Sequence, residues 1–466
     1  MSSPEGDKGP KTKDVKLGLR QVFRHRMFAL VWAGALLSNI GNWMEDSAQN
    51  WAVVSALKHD PKRSALMSEV LSFANFIPVL VLSLVAGVIA DRVNLRKMLL
   101  WLQTLACLLG AALAVAAWRG LASPWVVIAF TFAEGIVWAL NGPPWQALVP
   151  RLVPREDLPL AIAANSVQFN LARLVGPFLA GMLILRVGVV AAFAINAVSF
   201  VPVLFALWML PADDGRNISR SEGSIVSDLG TGLGKVWHQP GLRRLSIMLV
   251  CFMFLSAPAQ GLLAVYVQQV MRGDSQLYGG MLGAMGLGAL LGALALGRIP
   301  RYYPRHHLIP LAMVLAAVFM LLLTVTIRPL ASLMAMTGIG FFWMLSVNSI
   351  NAAAQLLAGE EHRGRIMSVM FLCNQGFLPL GHLCAGGLAT LLGPAWVIRG
   401  MVGVLLVITL IFLFWREPAI DDLERRPLNL NWRERLWEIL TAQSHRPVPM
   451  SVREKIAGEQ TTPIEM

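Results

Sequence analysis

The chain has 466 residues, of which 56% are hydrophobic and only 14% are charged, and its mean hydropathy is +0.60. A water-soluble protein of this length needs more charge to cover its surface, so the composition excludes that class and indicates a polytopic membrane protein. The net charge of +12 does not indicate a nucleic-acid partner, because the Lys and Arg residues are confined to short loops and two tails.

The four cysteines lie inside apolar segments without paired spacing, at Cys107, Cys251, Cys373 and Cys384. They read as small core residues, so neither a disulfide framework nor a metal site is expected, and no cofactor is expected either. The first residues, MSSPEGDKGPKTKDVK, are polar, which argues against a cleavable signal peptide.

Apolar segments of about 20 residues, the length that crosses the hydrocarbon core of a bilayer, recur along the chain. The sequence predicts about twelve spanning helices, at residues 28–57, 66–90, 97–118, 124–147, 158–185, 188–210, 243–271, 278–297, 308–327, 329–357, 364–392 and 395–415. We therefore predict an all-α membrane protein with two pseudo-symmetric six-helix halves.

The division into halves depends on one long polar interruption. Its residues, 211–242, are predicted to form a loop between a bundle at 28–210 and a bundle at 243–415. Tails are predicted at 1–27 and 416–466. A weak internal similarity between NGPPWQ and NAAAQ, just over 200 residues apart, agrees with this division, although chance alignment of Ala- and Gly-rich helices would also produce it.

The distribution of basic residues predicts the orientation of the helices. Thirty of the 39 Lys and Arg residues lie in the two tails or in the loops that follow every second predicted helix. Because loops rich in Lys and Arg remain on the cytoplasmic side, both termini are predicted to be cytoplasmic.

The stretch GNWMEDSAQNW places two adjacent acids near the middle of the first predicted span. At 100° per residue, five polar residues fall on one helix face, with Glu45 at its edge: Asn39, Asn42, Asp46, Gln49 and Asn50. A continuous polar face at this depth indicates a water-filled cavity. A seam of hydrogen bonds between helices is the alternative.

Other ionisable residues fall within the spans. Glu134 and Arg173 are expected at similar depths in neighbouring spans, where they would form either an ion pair that responds to proton binding or a purely structural salt bridge. Burial and mutual repulsion disfavour two charged neighbours at Glu45 and Asp46. The proton-coupling candidates are therefore Asp46 first, then Glu45 and Glu134, with Arg173 as their partner.

Amides, methionines and a histidine predominate in the second half, which suits a bulky organic substrate. The substrate-binding candidates, with those of the first half included, are Asn39, Asn42, Gln49, Asn50, Asn141, Trp145, Asn170, Gln260, Asn348, Asn351, Asn374, Gln375 and His382. His382 could titrate, or it could simply be hydrogen-bonded in a polar seam.

The segment GVIADRVNLRK, with Gly87, Asp91, Arg92, Arg96 and Lys97, resembles the loop G-x-x-x-D-R-x-G-R-[RK] of the major facilitator superfamily. This resemblance implies the major facilitator fold and a conformational latch at these five residues. Asn94 stands where this loop usually has a glycine. The corresponding segment of the second half has no aspartate.

Further motifs resemble the branch that holds the enterobactin exporter and macrolide efflux proteins: SNIGNWM, PRLVPREDLPLAIAANSVQFNLARLVGPFLAG and HRGRIMSV. Within the second of these, Gly176, Pro177 and Gly181 resemble the fifth-span motif of exporters. Small residues there permit close helix packing and Pro177 bends the helix. An ordinary small-residue interface is the alternative to a role in export.

The sequence thus favours a secondary active transporter that exports a siderophore, drug or similar amphiphile from bacteria across the inner membrane by alternating access and proton antiport. The expected partners are the small-molecule substrate, protons and the lipid bilayer, and the expected state is a monomer. A lipid or lysolipid flippase of the same fold and a non-transporting sensor or scaffold are the alternatives. An enzyme is not expected, because the loops are too short for a catalytic domain and carry no phosphate-binding or metal-binding motif.

Overall fold

Twelve long apolar helices form the described part of the protein. The computed structural model describes residues 19–211, 225–296, 305–358 and 363–414. Within these ranges, twelve helices are long and apolar enough to cross a membrane. The prediction of an all-helical membrane protein with about twelve spans is confirmed.

The helices are numbered in chain order. A 3-10 helix at Leu19–Arg24 precedes α1 (Arg26–Ala56), α2 (Pro61–Arg92), α3 (Leu95–Trp118), α4 (Pro124–Leu152), α5 (Leu158–Val187) and α6 (Val189–Met209). These are followed by α7 (Ile225–His238), α8 (Pro240–Ser256), α9 (Ser275–Leu296), α10 (Arg305–Val325), α11 (Pro329–Leu357), α12 (Arg363–Leu392) and α13 (Pro394–Phe414). The seventh span continues beyond α8 through Pro258–Gly261, Leu263–Val265 and a π-helical turn at Tyr266–Val270.

Several helices begin where the sequence supplies a capping side chain. The Asp60 carboxylate accepts a hydrogen bond from the backbone N–H of Arg63 at 3.0 Å, and Pro61 occupies the first position of α2. Ser123 caps α4 in the same way, and Pro124 follows it. These residues satisfy backbone donors that a helix start leaves unpaired, so they fix where the spans begin.

One difference from the prediction lies between the sixth and seventh spans. Residues 211–242 were predicted to be a loop, but α7 occupies Ile225–His238 and α8 already begins at Pro240. Helix α7 packs against α8 and α12, and Val236 is fully buried there. The helical pattern was hidden because this short segment carries many Gly and Ser residues, which are poor helix formers.

Helices α1–α6 and α8–α13 are called the first and second helix sets below. In the first set, α1 packs against α5 and α6, while α2 packs against α4; in the second set, α11 packs against α9 and α10. The two sets meet along α5 with α9 and along α2 with α12. The predicted boundaries of the two halves remain a prediction.

The two sets are in contact at the end of the bundle that the basic residues predict to face outward, called the outer end. The hydroxyl of Ser275 on α9 donates to the carbonyl oxygen of Gly181 on α5 at 3.1 Å. The rings of Trp51 on α1 and Tyr278 on α9 stack with centroids 5.7 Å apart. Side chains from both sets therefore close this end.

Candidate functional site

A cavity of about 430 Å³ lies between the two helix sets. Twelve of the predicted site residues line it: Asn39, Asn42, Glu45, Asp46, Glu134, Asn141, Asn170, Arg173, Gln260, Asn348, Asn374 and Gln375. The volume falls within the range of pockets that bind drug-sized molecules. The geometry can therefore enclose a small organic compound between the two sets.

Three acids from α1 and α4 approach one another at the cavity wall. Asp46 is solvent-accessible, with Asn75 of α2 within hydrogen-bonding reach of its carboxylate. Glu45 is buried and accepts a hydrogen bond from the side-chain amide of Asn196. Glu134 is close enough to both acids for their charges to interact. Bringing the three carboxyl groups together makes it costly for all of them to be charged at once.

The polar face predicted for α1 is divided between the cavity and the neighbouring helices. Asn39, Asn42 and Asp46 line the cavity, whereas Gln49 and Asn50, predicted to bind substrate, do not. Toward the outer end α1 is surrounded by other helices, which bury Gln49 and Asn50 away from the cavity, and their role in substrate binding remains a prediction.

Gln49 and Asn50 make hydrogen bonds between helices instead. The Gln49 amide donates to Glu134 Oε2 at 2.7 Å, and its Oε1 accepts from the Thr131 hydroxyl at 2.8 Å. The Asn50 side-chain amide lies 3.0 Å from the hydroxyl oxygen of Ser68 on α2. Gln49 thereby positions a cavity acid without lining the cavity, and Asn50 joins α1 to α2.

The predicted ion pair between Glu134 and Arg173 is not formed. The Arg173 guanidinium lies over the ring of Trp43, with its carbon 5.5 Å from the ring centroid, while Glu134 is hydrogen-bonded to Gln49. Helix α1 packs against both α4 and α5 and supplies the partners of both residues. The depth estimate alone could not detect this intervening helix.

Three other predicted substrate-binding residues lie outside the cavity lining, and their role in substrate binding remains a prediction. Trp145 packs against the apolar cluster formed by the inner ends of α1, α3 and α6. Asn351 lies nearly one turn beyond the cavity residue Asn348 on α11, rotated about 60° from it. His382 is fully buried and contacts Glu69 rather than the cavity.

Aromatic side chains form a part of the cavity wall that sequence reasoning missed. They are Trp43, Phe76, Trp138, Phe169 and Trp343, with Asn75, Gln103, Thr131, Met253 and Met344 beside them. The amide of Gln103 donates to Asn141 Oδ1 at 3.2 Å. Mid-span amides such as Asn75 and Gln103 carried a signal in the sequence, but aromatic residues face lipid, core and cavity alike and carried none.

The predicted packing residues lie at close helix contacts. A Cβ added at Gly176 would lie 2.6 Å from the Cβ of Trp43, and one added at Gly181 would lie 3.0 Å from the Cα of Gly279. Pro177 lies inside α5. Gly176 therefore borders α1 and Gly181 borders α9.

Only part of the predicted latch falls within the described side chains. Gly87, Asp91 and Arg92 lie on the last turns of α2, and their side chains are outside the described residues. The Arg96 guanidinium donates to the carbonyl oxygens of Leu207 and Trp208 at the end of α6. Lys97 lies in the first turn of α3, where its backbone N–H donates to Asn94 Oδ1 at 3.0 Å. These contacts stay within the first helix set.

No cluster of three or more His, Cys, Asp or Glu side chains with the geometry for a metal ion occurs among the described residues.

The sequence and the fold are both similar to those of known proteins. A family model described as transmembrane secretion effector matches residues 21–464. The multidrug efflux pump Tap of Mycolicibacterium fortuitum is 28% identical over 413 residues, which cover 85% of this chain and 98% of that protein. The staphyloferrin A transporter of Staphylococcus aureus is 24% identical over 393 residues, covering 82% of this chain and 94% of that protein.

Among solved structures, a bacterial homolog of the human lysosomal transporter Spinster, in an inward-facing and unoccupied conformation, superposes with a TM-score of 0.65. Sequence identity is 13%, and the superposition covers 86% of this chain and 99% of that one. At this identity the likeness concerns the fold alone.

Proposed function

The chain belongs to the transmembrane secretion effector family of the major facilitator superfamily, and from this premise we propose that it exports a small organic molecule in exchange for protons. It is a multi-pass membrane transporter and not an enzyme. The proposed location is the cytoplasmic membrane of a bacterium, with both termini in the cytoplasm, because thirty Lys and Arg residues lie in the tails and alternate loops and such loops remain on the cytoplasmic side.

The two helix sets contribute chemically different side chains to the cavity. This difference supports the proposal and indicates the substrate class. The first set supplies Glu45, Asp46 and Glu134, while the second supplies Trp343 and amides such as Asn348. Acids attract a cationic group, and aromatic and amide side chains adapt to a bulky apolar body. We propose a cationic or zwitterionic amphiphile, and the names of the two relatives, a drug pump and a siderophore transporter, agree with this size class.

The acid cluster also provides the proposed proton coupling. Three neighbouring carboxylates repel one another when all are charged, so protons and a cationic substrate compete for the same site. Binding of a cation near Asp46 releases a proton, and departure of the cation allows the acids to be protonated again. Such competition links the outward movement of substrate to the inward movement of protons.

Alternating access follows from a rocking movement of the two halves, residues 28–210 and 243–415. In the structure the outer end is closed by contacts such as the one between Ser275 and Gly181. We infer that this is the conformation that takes up substrate from the cytoplasm. One chain encloses the cavity, so the proposed transporting unit is a monomer.

Proton release on substrate addition tests the coupling. The purified native protein in detergent is mixed with candidate cationic amphiphiles, and the pH of the weakly buffered solution is followed between pH 6 and 8. Binding to the native chain should release protons, and Asp46→Asn or Glu134→Gln should abolish the release. The control is Glu156→Gln, because Glu156 is an exposed carboxylate in the loop before α5.

Loss of release in one variant, with binding retained, identifies the acid that exchanges its proton. If compounds bind to the native protein without releasing protons anywhere in this range, antiport through these acids is wrong. Export measured in vesicles then decides whether the protein transports the same compounds without proton exchange.

A further inference from the structure

A second pair of titratable residues lies outside the cavity lining and joins the two helix sets. His382 Nδ1 on α12 lies 2.5 Å from Glu69 Oε2 on α2, and both side chains are almost completely buried. The two residues are 313 positions apart in sequence, so each belongs to a different set. The pair therefore bridges the seam between α2 and α12.

The surroundings of the pair leave little room for movement. A Cβ added at Gly261 would lie 2.1 Å from Glu69 Oε2, and one added at Gly386 would lie 2.9 Å from the Glu69 Cβ. These glycines let two segments of the second set close around the Glu69 carboxyl group. The neighbouring Ser68 hydroxyl donates to the Gly261 carbonyl oxygen at 2.7 Å, which adds a second bond across the seam.

Phe76 lies between this pair and the cavity. Its ring is nearly parallel to the His382 imidazole, at an interplanar angle of 5° with centroids 6.1 Å apart, and Phe76 itself lines the cavity. The pair is thus close to the substrate site but shielded from it by an aromatic ring.

Neither Glu69 nor His382 forms an ion pair with any other side chain in the described part of the chain. Asn50 of α1 approaches through Ser68, the seventh span presents the backbone of Gly261, and His382 is the one ionisable group that acts on Glu69. Glu69 Oε1 is buried without a hydrogen-bond partner in the described part of the chain. Nothing else there balances a net charge on the pair.

We propose that Glu69 and His382 form a proton-operated latch that holds the outer end of the transporter closed. When the two sets separate at the outer end, Glu69 becomes a solvated carboxylate and His382 a solvated neutral imidazole. Closure then takes one proton from the outer solution. That proton is shared between His382 Nδ1 and Glu69 Oε2, so the buried pair carries no net charge.

The physical reason is the cost of burying a charge. Closing the seam on a carboxylate and a neutral imidazole would leave one uncompensated negative charge in a dry site, which is strongly unfavourable. One added proton removes that net charge and retains the hydrogen bond. An acidic outer solution therefore favours closure, and an alkaline one favours opening.

The latch rests on the proposed alternating access, but it requires neither a known substrate nor proton exchange at the cavity acids. It can be measured by the distance between spin labels at Arg119→Cys and Arg328→Cys, which are exposed at the outer end of different sets. The full chain is used in lipid nanodiscs, with the four native cysteines replaced by Ser or Ala. His59 is replaced by Gln, because this exposed residue is another histidine at the outer end.

We expect the ratio of open to closed populations to rise with pH, by at most about tenfold per pH unit, as one-proton linkage requires. In Glu69→Gln the closed seam holds a neutral imidazole and a neutral amide, so closure takes up no proton and the ratio should no longer rise with pH. In His382→Gln the buried Glu69 carboxyl must itself take up the proton to be neutral, so the ratio should still rise with pH. Ser68→Ala removes a bond across the same seam without changing the proton count, so it should shift the ratio equally at every pH.

An invariant ratio in the native chain overturns the latch, and so does a rise with pH that persists unchanged in Glu69→Gln. The measurement needs no substrate, so it is separable from the test of export. A chain that releases no protons when a compound is added can still close its outer end as the pH falls. Conversely, a proton-coupled exporter can lack this pH-dependent closure.

Discussion

Arg173 lies in the cavity wall, and its side chain contacts an aromatic ring. Its guanidinium lies over Trp43, 5.5 Å from the centroid, on the wall shared with the acid cluster. A cation over an indole face is stabilised by about 1 kcal/mol at a partly buried site. The arrangement leaves the positive charge of Arg173 in the cavity wall without a direct salt bridge to the acids.

A double-mutant cycle tests this partnership. Arg173→Leu and Trp43→Leu, singly and together, should show a coupling energy of about 1 kcal/mol in the free energy of unfolding measured by SDS titration. Trp43→Phe should retain much of the coupling because it keeps an aromatic face. The companion cycle pairs Arg173→Leu with Glu134→Gln and should give a value close to zero. A larger coupling with Glu134 than with Trp43 would restore the ion pair predicted from sequence.

At the scale of single residues, the sequence predicted which polar side chains line the cavity better than it predicted the contacts that those side chains make. The 100° projection correctly placed Asn39, Asn42 and Asp46 at the cavity. It also assigned Gln49 there, but Gln49 is buried by α4 and bonded to Glu134. The helix period fixes which residues share a face, whereas only tertiary packing decides how far along that face the cavity extends.

Among the elements, the 3-10 helix before α1 is fastened to the start of α5. Asp157 Oδ2 lies 2.8 Å from His25 Nε2, and the Gln21 amide donates to Asp157 Oδ1 at 3.1 Å. Asp157 occupies the N-cap position of α5 but makes no side-chain capping bond. Its carboxylate is used to hold the preceding segment, and Val22 is fully buried as a result.

Loss of this contact should loosen the 3-10 helix. In Asp157→Ala, two hydrogen bonds disappear, which is worth about 2 kcal/mol, so amide exchange at residues 19–24 should become roughly thirtyfold faster. Hydrogen–deuterium exchange with mass spectrometry measures this directly. Glu156→Ala is the matched control, since it removes an exposed neighbouring carboxylate. Equal exchange in the two variants would show that the segment is held by apolar packing alone.

The ends of the helices could be predicted because they depend mainly on hydropathy and on residues that start or stop a helix. The predicted span 329–357 coincides with α11, and α3 differs from its prediction by two residues at one end. The interrupted seventh span was not predicted. Pro258 offers a local reason for one interruption, since it lacks a backbone donor, but the π-helical turn at Tyr266–Val270 depends on packing that no local pattern reveals.

For the whole molecule, closure of the outer end requires the two sets to approach within backbone contact. A Cβ added at Gly279 on α9 would lie 2.3 Å from the Pro177 carbonyl oxygen on α5. Such a distance is far below van der Waals contact, and backbone on both sides prevents an easy adjustment. The closed arrangement therefore requires a residue without a side chain at position 279.

Gly279→Val should hold the sets apart and shift the molecule toward an open outer end. The spin-label distance between Arg119→Cys and Arg328→Cys should lengthen at every pH, and export should fall by at least about fivefold, because overpacking a close interface costs about 1–3 kcal/mol. The neighbouring Gly280 provides the control. A Cβ there would meet only the Leu333 side chain of the same set, at 3.7 Å, so Gly280→Val should leave the distance unchanged.

The comparison separates two contributions to the closed state. Steric fit at α5 and α9 should act independently of pH, whereas the Glu69–His382 pair should add a proton-dependent part at α2 and α12. In a Gly279→Val chain, the distance should therefore still shorten as the solution is acidified, from a longer starting value. If Gly279→Val instead removes the response to pH, the two seams close as one rigid unit, and neither can be assigned its own share of the closing free energy.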